Sequence, residues 1–256
     1  MSRGRSKLRD MIFEVIVIAI GCFAASAVNA AFATGGVHLT LAASSAVLPL
    51  AVAIPMQVAL NATSLLARII TCWRHINWPI FAMFAPPAGI GAILGARVFV
   101  SMEEGVISLC LGMLLLVIVW GVPKGIKFSL PNRFALIGGA HGFLSTIFGV
   151  GLFLQPAMLR TDLGRLQITG TLAACIMALE LVKAGGYAGF GFDFTEYWPH
   201  ILAGAATNII GNLAGHRLGA HVSEARFRLV FKAIVTLVAL RLTLRGVLSL
   251  IGYGAI

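Results

Sequence analysis

Charge is scarce in this sequence, and acid is scarcest: nine Asp and Glu stand against nineteen Lys and Arg in 256 residues. With 59% hydrophobic residues and a mean hydropathy of +0.96, the chain is too apolar to hide its side chains in one water-soluble core, so it belongs in a bilayer. Catalytic signatures are missing as well. There is no phosphate-binding loop, no HExxH and no cluster of His or Cys ligands, and the few carboxylates are not paired in apolar segments. These absences argue against an enzyme, a bound metal, a cofactor and an ATP-driven pump. Cys22, Cys72, Cys110 and Cys175 stand alone in apolar stretches without paired spacing, which makes them small buried residues rather than disulfides or metal ligands.

What is present is a series of apolar runs near the roughly 20 residues needed to cross a hydrocarbon core. They cover residues 11–33, 78–100, 105–122, 133–150, 166–186, 198–218 and 227–248. Stretches 38–54 and 57–73 are shorter or interrupted. The seven longer runs plus 57–73 predict an all-α polytopic protein of about eight crossings, with short or re-entrant pieces after Gly36 and Gly151.

The net charge of +10 leaves no soluble basic face for nucleic acid. Arg3, Arg5, Lys7 and Arg9 precede the first run, and Lys124, Lys127 and Arg133 fill the central loop, where the positive-inside bias expects them. A cytoplasmic N-terminus in a multi-pass membrane protein follows. The basic start and Val28-Asn29-Ala30 superficially fit a signal peptide, but the run is longer than a usual signal core and leads straight into a glycine break.

Sliding the chain by 120 positions lays Trp78-Pro79, Ala85, Gly91, Gly95, Arg97 and Glu104 on Trp198-Pro199, Ala205, Gly211, Gly215, Arg217 and Glu224. Looser, gapped echoes pair Thr34-Gly35-Gly36 with Gly149-Val150-Gly151, and Gln57, Asn61 and Thr63 with Gln167, Thr169 and Thr171. The predicted organisation is a basic N-terminus (1–10), a first membrane repeat (11–122), a central basic loop (123–132) and a second repeat (133–256). Trp-Pro marks a helix start at the membrane boundary. Glycines four apart share a helix face and permit close approach of a neighbour.

The glycine breaks are the candidate binding places. A helix interrupted within a membrane exposes backbone groups that protein, water or a cargo must satisfy, and helix N-termini favour a small anion. The candidate substrate-binding set is Thr34, Gly35, Gly36, Gln57, Asn61, Thr63, Ser64, Gly149, Gly151, Gln167, Thr169 and Thr171. The polar members supply uncharged hydrogen bonds to a cargo or between neighbouring helices. His38 and His141 are either proton-coupling groups or bonded structural residues. Arg97 and Arg217 read as interfacial anchors or as anion contacts, with the anchor favoured. Glu180 and Lys183, one helical turn apart, read as a local ion pair.

The two-half layout, the breaks Thr34-Gly35-Gly36 and Gly149-Val150-Gly151-Leu-Phe-Leu-Gln-Pro156, the stretch Asn61-Ala-Thr63-Ser64 and the helix ends Gly91-x3-Gly95-x-Arg97 and Gly211-x3-Gly215-x-Arg217 resemble the sulfite exporter TauE/SafE family of permeases. The resemblance runs from about residue 11 to about residue 250. Members often carry a fuller glycine run with a proline several residues on; here the first half has two glycines and no proline until Pro49. The resemblance implies export of sulfite or a related sulfur-containing or organic anion across the cytoplasmic membrane, and with no ATP-binding motif in the sequence, ion gradients or the anion gradient itself are expected to supply the energy. The alternative is a non-transporting membrane subunit that scaffolds a partner enzyme.

Overall fold

The computed structural model describes residues 2–32, 36–121, 133–151, 153–218 and 224–251. Thr34, Gly35 and the central loop with Lys124 and Lys127 lie outside them, as does the side chain of Arg217. The described residues form ten α-helices and no strand: α1 (Ser2–Phe32), α2 (Gly36–Val47), α3 (Leu50–Cys72), α4 (Trp78–Ser101), α5 (Glu104–Leu116), α6 (Arg133–Phe148), α7 (Leu154–Met158), α8 (Arg165–Gly189), α9 (Trp198–Leu218) and α10 (Glu224–Leu250).

Each predicted run is helical, but the runs are not equal. Five stretches are long and apolar enough to cross a bilayer: Lys7–Ala30, Leu50–His75, Trp78–Ser101, Leu166–Gly189 and Lys232–Leu250. At a rise of about 1.5 Å per residue, α5 and α6 reach only about 20 and about 24 Å, short of a core of about 30 Å. α9 is longer but carries His200, Thr207, Asn208 and Asn212 along its length. The predicted short pieces after the glycines are α2, with 12 residues, and α7, with five.

The outside of these helices is oily. Phe13, Ile20, Leu136, Leu213, Leu229 and Leu237 are all exposed, which in water would make a large aggregating surface and in lipid makes a fitting one. All four tryptophans are exposed at helix ends: Trp73 after α3, Trp78 and Trp198 opening α4 and α9, and Trp120 in a π-turn after α5. That is where an amphipathic ring meets headgroups.

The chain divides into two compact units, 1–64 with 193–238 and 65–192 with 239–256, so each draws on both sequence halves. In the first unit α1 packs along α9 and against α2. Glycine sets the approach. A Cβ at Gly211 would lie 2.3 Å from the Phe23 carbonyl oxygen, and one at Gly215 would lie 2.2 Å from that of Ala27. No larger residue fits at that spacing. His200 Nε2 lies 3.3 Å from the Glu14 carboxylate, and Asn208 donates to the Leu60 carbonyl at 2.6 Å, which ties α9 to α1 and α3.

In the second unit α4 packs along α6 and α8. Asn77 caps α4 by accepting from the Ile80 N–H at 3.1 Å, with Pro79 in the first turn where its missing donor costs nothing. A Cβ at Gly91 would fall 2.3 Å from the Gly139 carbonyl oxygen, and one at Gly95 would fall 2.7 Å from that of Phe143. α6 returns the arrangement: a Cβ at Gly142 would meet the Ala88 carbonyl at 2.1 Å. Phe84, Ala88, Ala92, Phe134, Leu154, Met158, Cys175 and Leu179 make the core beneath this contact. α5 and the end of α10 pack through Gly112 and Gly246, with Arg245 and Glu104 paired at 3.1 Å.

Candidate functional site

In the first unit a line of polar groups starts at the break before α2. The Gly36 N–H donates to Asn29 Oδ1 at 3.0 Å, so a side chain of α1 satisfies the first donor of α2. Thr40 Oγ1 donates to the Gly36 carbonyl at 3.3 Å and Ser44 Oγ to the Thr40 carbonyl at 2.9 Å, one turn apart each time. From Ser44 the line crosses to α3: Gln57 Nε2 donates to Ser44 Oγ at 3.2 Å, and Asn61 Nδ2 donates to Gln57 Oε1 at 3.3 Å. Thr40, Ser44 and Gln57 are buried. Five hydrogen-bonding side chains in an apolar setting thus form one ladder from Asn29 to Asn61.

Of the predicted residues, Gly36, Gln57 and Asn61 belong to this ladder. Thr63 and Ser64 follow on α3 and are half-buried, and the Thr63 hydroxyl has no hydrogen-bond partner among the described residues. His38 sits half-buried on α2. The sequence reading missed Asn29, Thr40 and Ser44 as ladder members. The spacing 36, 40 and 44 was the available signal, since residues four apart share one helix face.

The second break is built differently. α6 ends at Gly149, whose φ of 68° is the left-handed conformation that favours glycine, with its N–H on the Ser145 carbonyl at 2.9 Å. The chain then passes over the His141 ring at Gly151, where a Cβ would lie 2.5 Å from the imidazole. His141 Nδ1 accepts from the Phe153 and Leu154 N–H groups at 3.4 and 3.3 Å. The imidazole therefore does for α7 what the Asn29 amide does for α2. His141 is buried, edge-on to Phe84 at 5.8 Å between centroids.

The remaining predicted residues of this half serve helix ends. Gln167 is exposed in the first turn of α8, and its Oε1 accepts from the Gly164 N–H at 3.1 Å. Thr171 is buried and its Oγ1 accepts from the Asn77 N–H at 2.8 Å, tying α8 to the turn before α4. Thr169 lies half-buried between them. Gln57 is the eighth residue of α3 and Gln167 the third of α8, so the two glutamines do not hold equivalent helix positions. Arg97 is exposed near the end of α4, as an anchor requires. Among the described residues no group of His, Cys, Asp or Glu is placed to hold a metal ion.

A family model described as sulfite exporter TauE/SafE matches residues 17–242, most of the chain. The chain belongs to that family. No curated protein and no solved structure matches it. Membership in TauE/SafE, together with five long apolar helices, makes the chain a multi-pass membrane protein of a transporter family rather than of an enzyme family. In that setting the ladder presents neutral donors and acceptors, half-buried at its ends and buried at Thr40, Ser44 and Gln57. Each group offers a hydrogen bond worth roughly a kcal/mol net, and none offers a fixed countercharge.

Proposed function

We propose that this TauE/SafE member is a secondary transporter that exports sulfite, or a related sulfur-containing or organic anion, across the cytoplasmic membrane. The observation that carries this reading is the Asn29–Thr40–Ser44–Gln57–Asn61 ladder, because it sets exchangeable hydrogen-bond partners inside an apolar unit. The amides of Gln57 and Asn61 can turn their N–H groups from one another to a cargo oxygen. Thr63 and Ser64 extend the same helix, and the Gly36 N–H on Asn29 closes the other end of the ladder. Gly149, Gly151 and His141 form the corresponding break of the second half, with Gln167, Thr169 and Thr171 supporting α8.

The two-repeat organisation and about eight crossings belong to the same proposal. Its support is a shared register. Gly91 and Gly95 meet the carbonyls of Gly139 and Phe143, while Gly211 and Gly215 meet those of Phe23 and Ala27. Both glycines are displaced by 120 positions and both carbonyls by 116, as two copies of one packing would be. The basic residues in the first turns of α1 keep the N-terminus cytoplasmic.

The test is flux through liposomes that contain only this protein. Passage of sulfite, methanesulfonate or acetate down an imposed gradient, above that of empty liposomes, is the expected result. No flux for any of them under any gradient would overturn the proposal and favour a scaffolding subunit.

A further inference from the structure

α8 carries a buried ion pair that the ladder does not use. Lys183 Nζ donates to Glu180 Oε1 at 3.0 Å, with the lysine 1% and the glutamate 7% exposed. The second carboxylate oxygen, Glu180 Oε2, is buried with no hydrogen-bond partner among the described residues. Lys183 lies six residues from the end of α8 at Gly189, about 9 Å at about 1.5 Å per residue, which is farther than its four-carbon stem extends. Its ammonium rests on the buried carboxylate one turn before it. Buried ions in a membrane helix are costly and by default mark the path of a charged substrate or a proton.

The surroundings extend the pair. Tyr187 stands one turn beyond Lys183 on the same helix. Tyr187 is buried, donates to the Thr146 carbonyl of α6 and stacks edge-on against Phe99 of α4. α4 brings no titratable group to its buried face, since Arg97 is exposed, and α7 has none. The turn at the other end of α8 holds Arg74 and His75, both exposed, and Cys175 is the buried thiol of α8 itself. Arg133, half-buried at the start of α6, lies over the Phe134 ring at 5.2 Å.

We propose that Lys183 is the cationic contact of the transported anion and that Glu180 is its removable countercharge, so that loading an anion is coupled to protonation of Glu180. In the unloaded protein the carboxylate neutralises the ammonium. An arriving anion takes the carboxylate's place at Nζ, and Glu180 accepts one proton from water on the same side; on release the proton leaves with the anion. One proton and one negative charge move together. The direction then follows the sum of the two gradients. This rests on the transport reading of the chain and not on the ladder in particular.

The experiment uses the full chain in liposomes with the membrane potential clamped at zero, and methanesulfonate, an anion that does not titrate near neutral pH. Entry of methanesulfonate should acidify the lumen, and a gradient of about one pH unit should concentrate it about tenfold on the alkaline side. Glu180→Gln should still exchange methanesulfonate across the membrane but lose both the acidification and the accumulation. The double variant Glu180→Gln with Lys183→Gln, which leaves no unpaired buried charge to unfold the helix, should exchange at least about tenfold more slowly. A Glu180→Gln protein that still acidifies the lumen, or a double variant that transports as the unaltered protein does, would overturn the coupling and leave a structural ion pair. If the unaltered protein moves neither methanesulfonate nor sulfite, the transport reading itself falls and the coupling with it.

Discussion

The helix pairs α1–α9 and α4–α6 approach through glycines on carbonyls four residues apart, yet the breaks that follow α1 and α6 are furnished with different chemistry. After α1 a neutral amide, Asn29, holds the first donor of α2 and begins a ladder of five polar side chains. After α6 an imidazole, His141, holds the N–H groups of Phe153 and Leu154, and α8 of the same unit carries the buried pair Lys183 and Glu180. Packing geometry is therefore the common part and hydrogen-bonding chemistry the divergent part.

The largest effect should come from breaking the common part. Gly91→Ala, Gly142→Ala and Gly211→Ala each push a methyl into a carbonyl less than 2.5 Å away, and each should cost about 2 to 3 kcal/mol or abolish insertion. Gly185→Ala, with nothing within 4 Å, should be neutral in the same thermal-melting assay. Equal melting of Gly185→Ala and Gly211→Ala would show that the close approach is not real.

Smaller losses should separate the two breaks. His141→Leu and Asn29→Leu strip the acceptor from buried N–H groups and should each cost about 1 to 3 kcal/mol. His141→Asn should recover most of the loss, because an amide oxygen already performs this task at Gly36. Failure of His141→Asn in a protein where His141→Leu also fails would mean that the imidazole contributes more than an acceptor.

Between the glutamines the difference should be one of kind. Gln57→Leu removes the centre of the ladder, and transport should fall severalfold or more. Gln167→Leu removes only an exposed helix cap, at about 0.5 to 1 kcal/mol of stability, with transport retained. Equal transport losses in the two would restore their equivalence. Arg97→Lys should matter less still: both side chains can anchor, and only arginine can grip an oxyanion at two points, so near-normal apparent affinity for sulfite is expected. A marked rise in the half-saturating concentration would make Arg97 an anion contact.

The smallest effect lies in the exposed turn before α9. Asp193 accepts from the Thr195 hydroxyl at 2.6 Å and from its N–H at 2.8 Å, bonds that hold its carboxyl below the usual range. A lowered folded value means that the turn is held fully above the unfolded value of about 3.9 and released as pH falls through the folded one. NMR titration of the Asp193 carboxyl should give a midpoint below about 3.9. A midpoint at or above that value would contradict the capping role.

Much of the frame was legible because glycine and proline act locally. Gly91 with Gly95 and Gly211 with Gly215 announced close contacts, and Trp78-Pro79 announced a helix start, from spacing alone. Their partners, α6 and α1, were not legible, since a small residue says that a neighbour comes near without saying which one. The candidate site was half legible. Gln57 and Asn61 share a face by their spacing, and Glu180 with Lys183 form the expected pair. The different helix positions of Gln57 and Gln167 were not legible, because a short gapped match does not distinguish the first turn of a helix from its interior. Asn29 was hidden at the end of an apolar run, where its role depends on the chain folding back at Gly36.

The most direct test of the account is sulfite counterflow in liposomes that contain only this protein. Vesicles loaded with unlabelled sulfite and diluted into labelled sulfite should take up label transiently and faster than vesicles loaded without it, and Gln57→Leu should abolish the acceleration while leaving the protein folded. No acceleration by internal sulfite in the unaltered protein, or an unchanged acceleration in a folded Gln57→Leu protein, would contradict a carrier that binds its anion on the α2–α3 ladder.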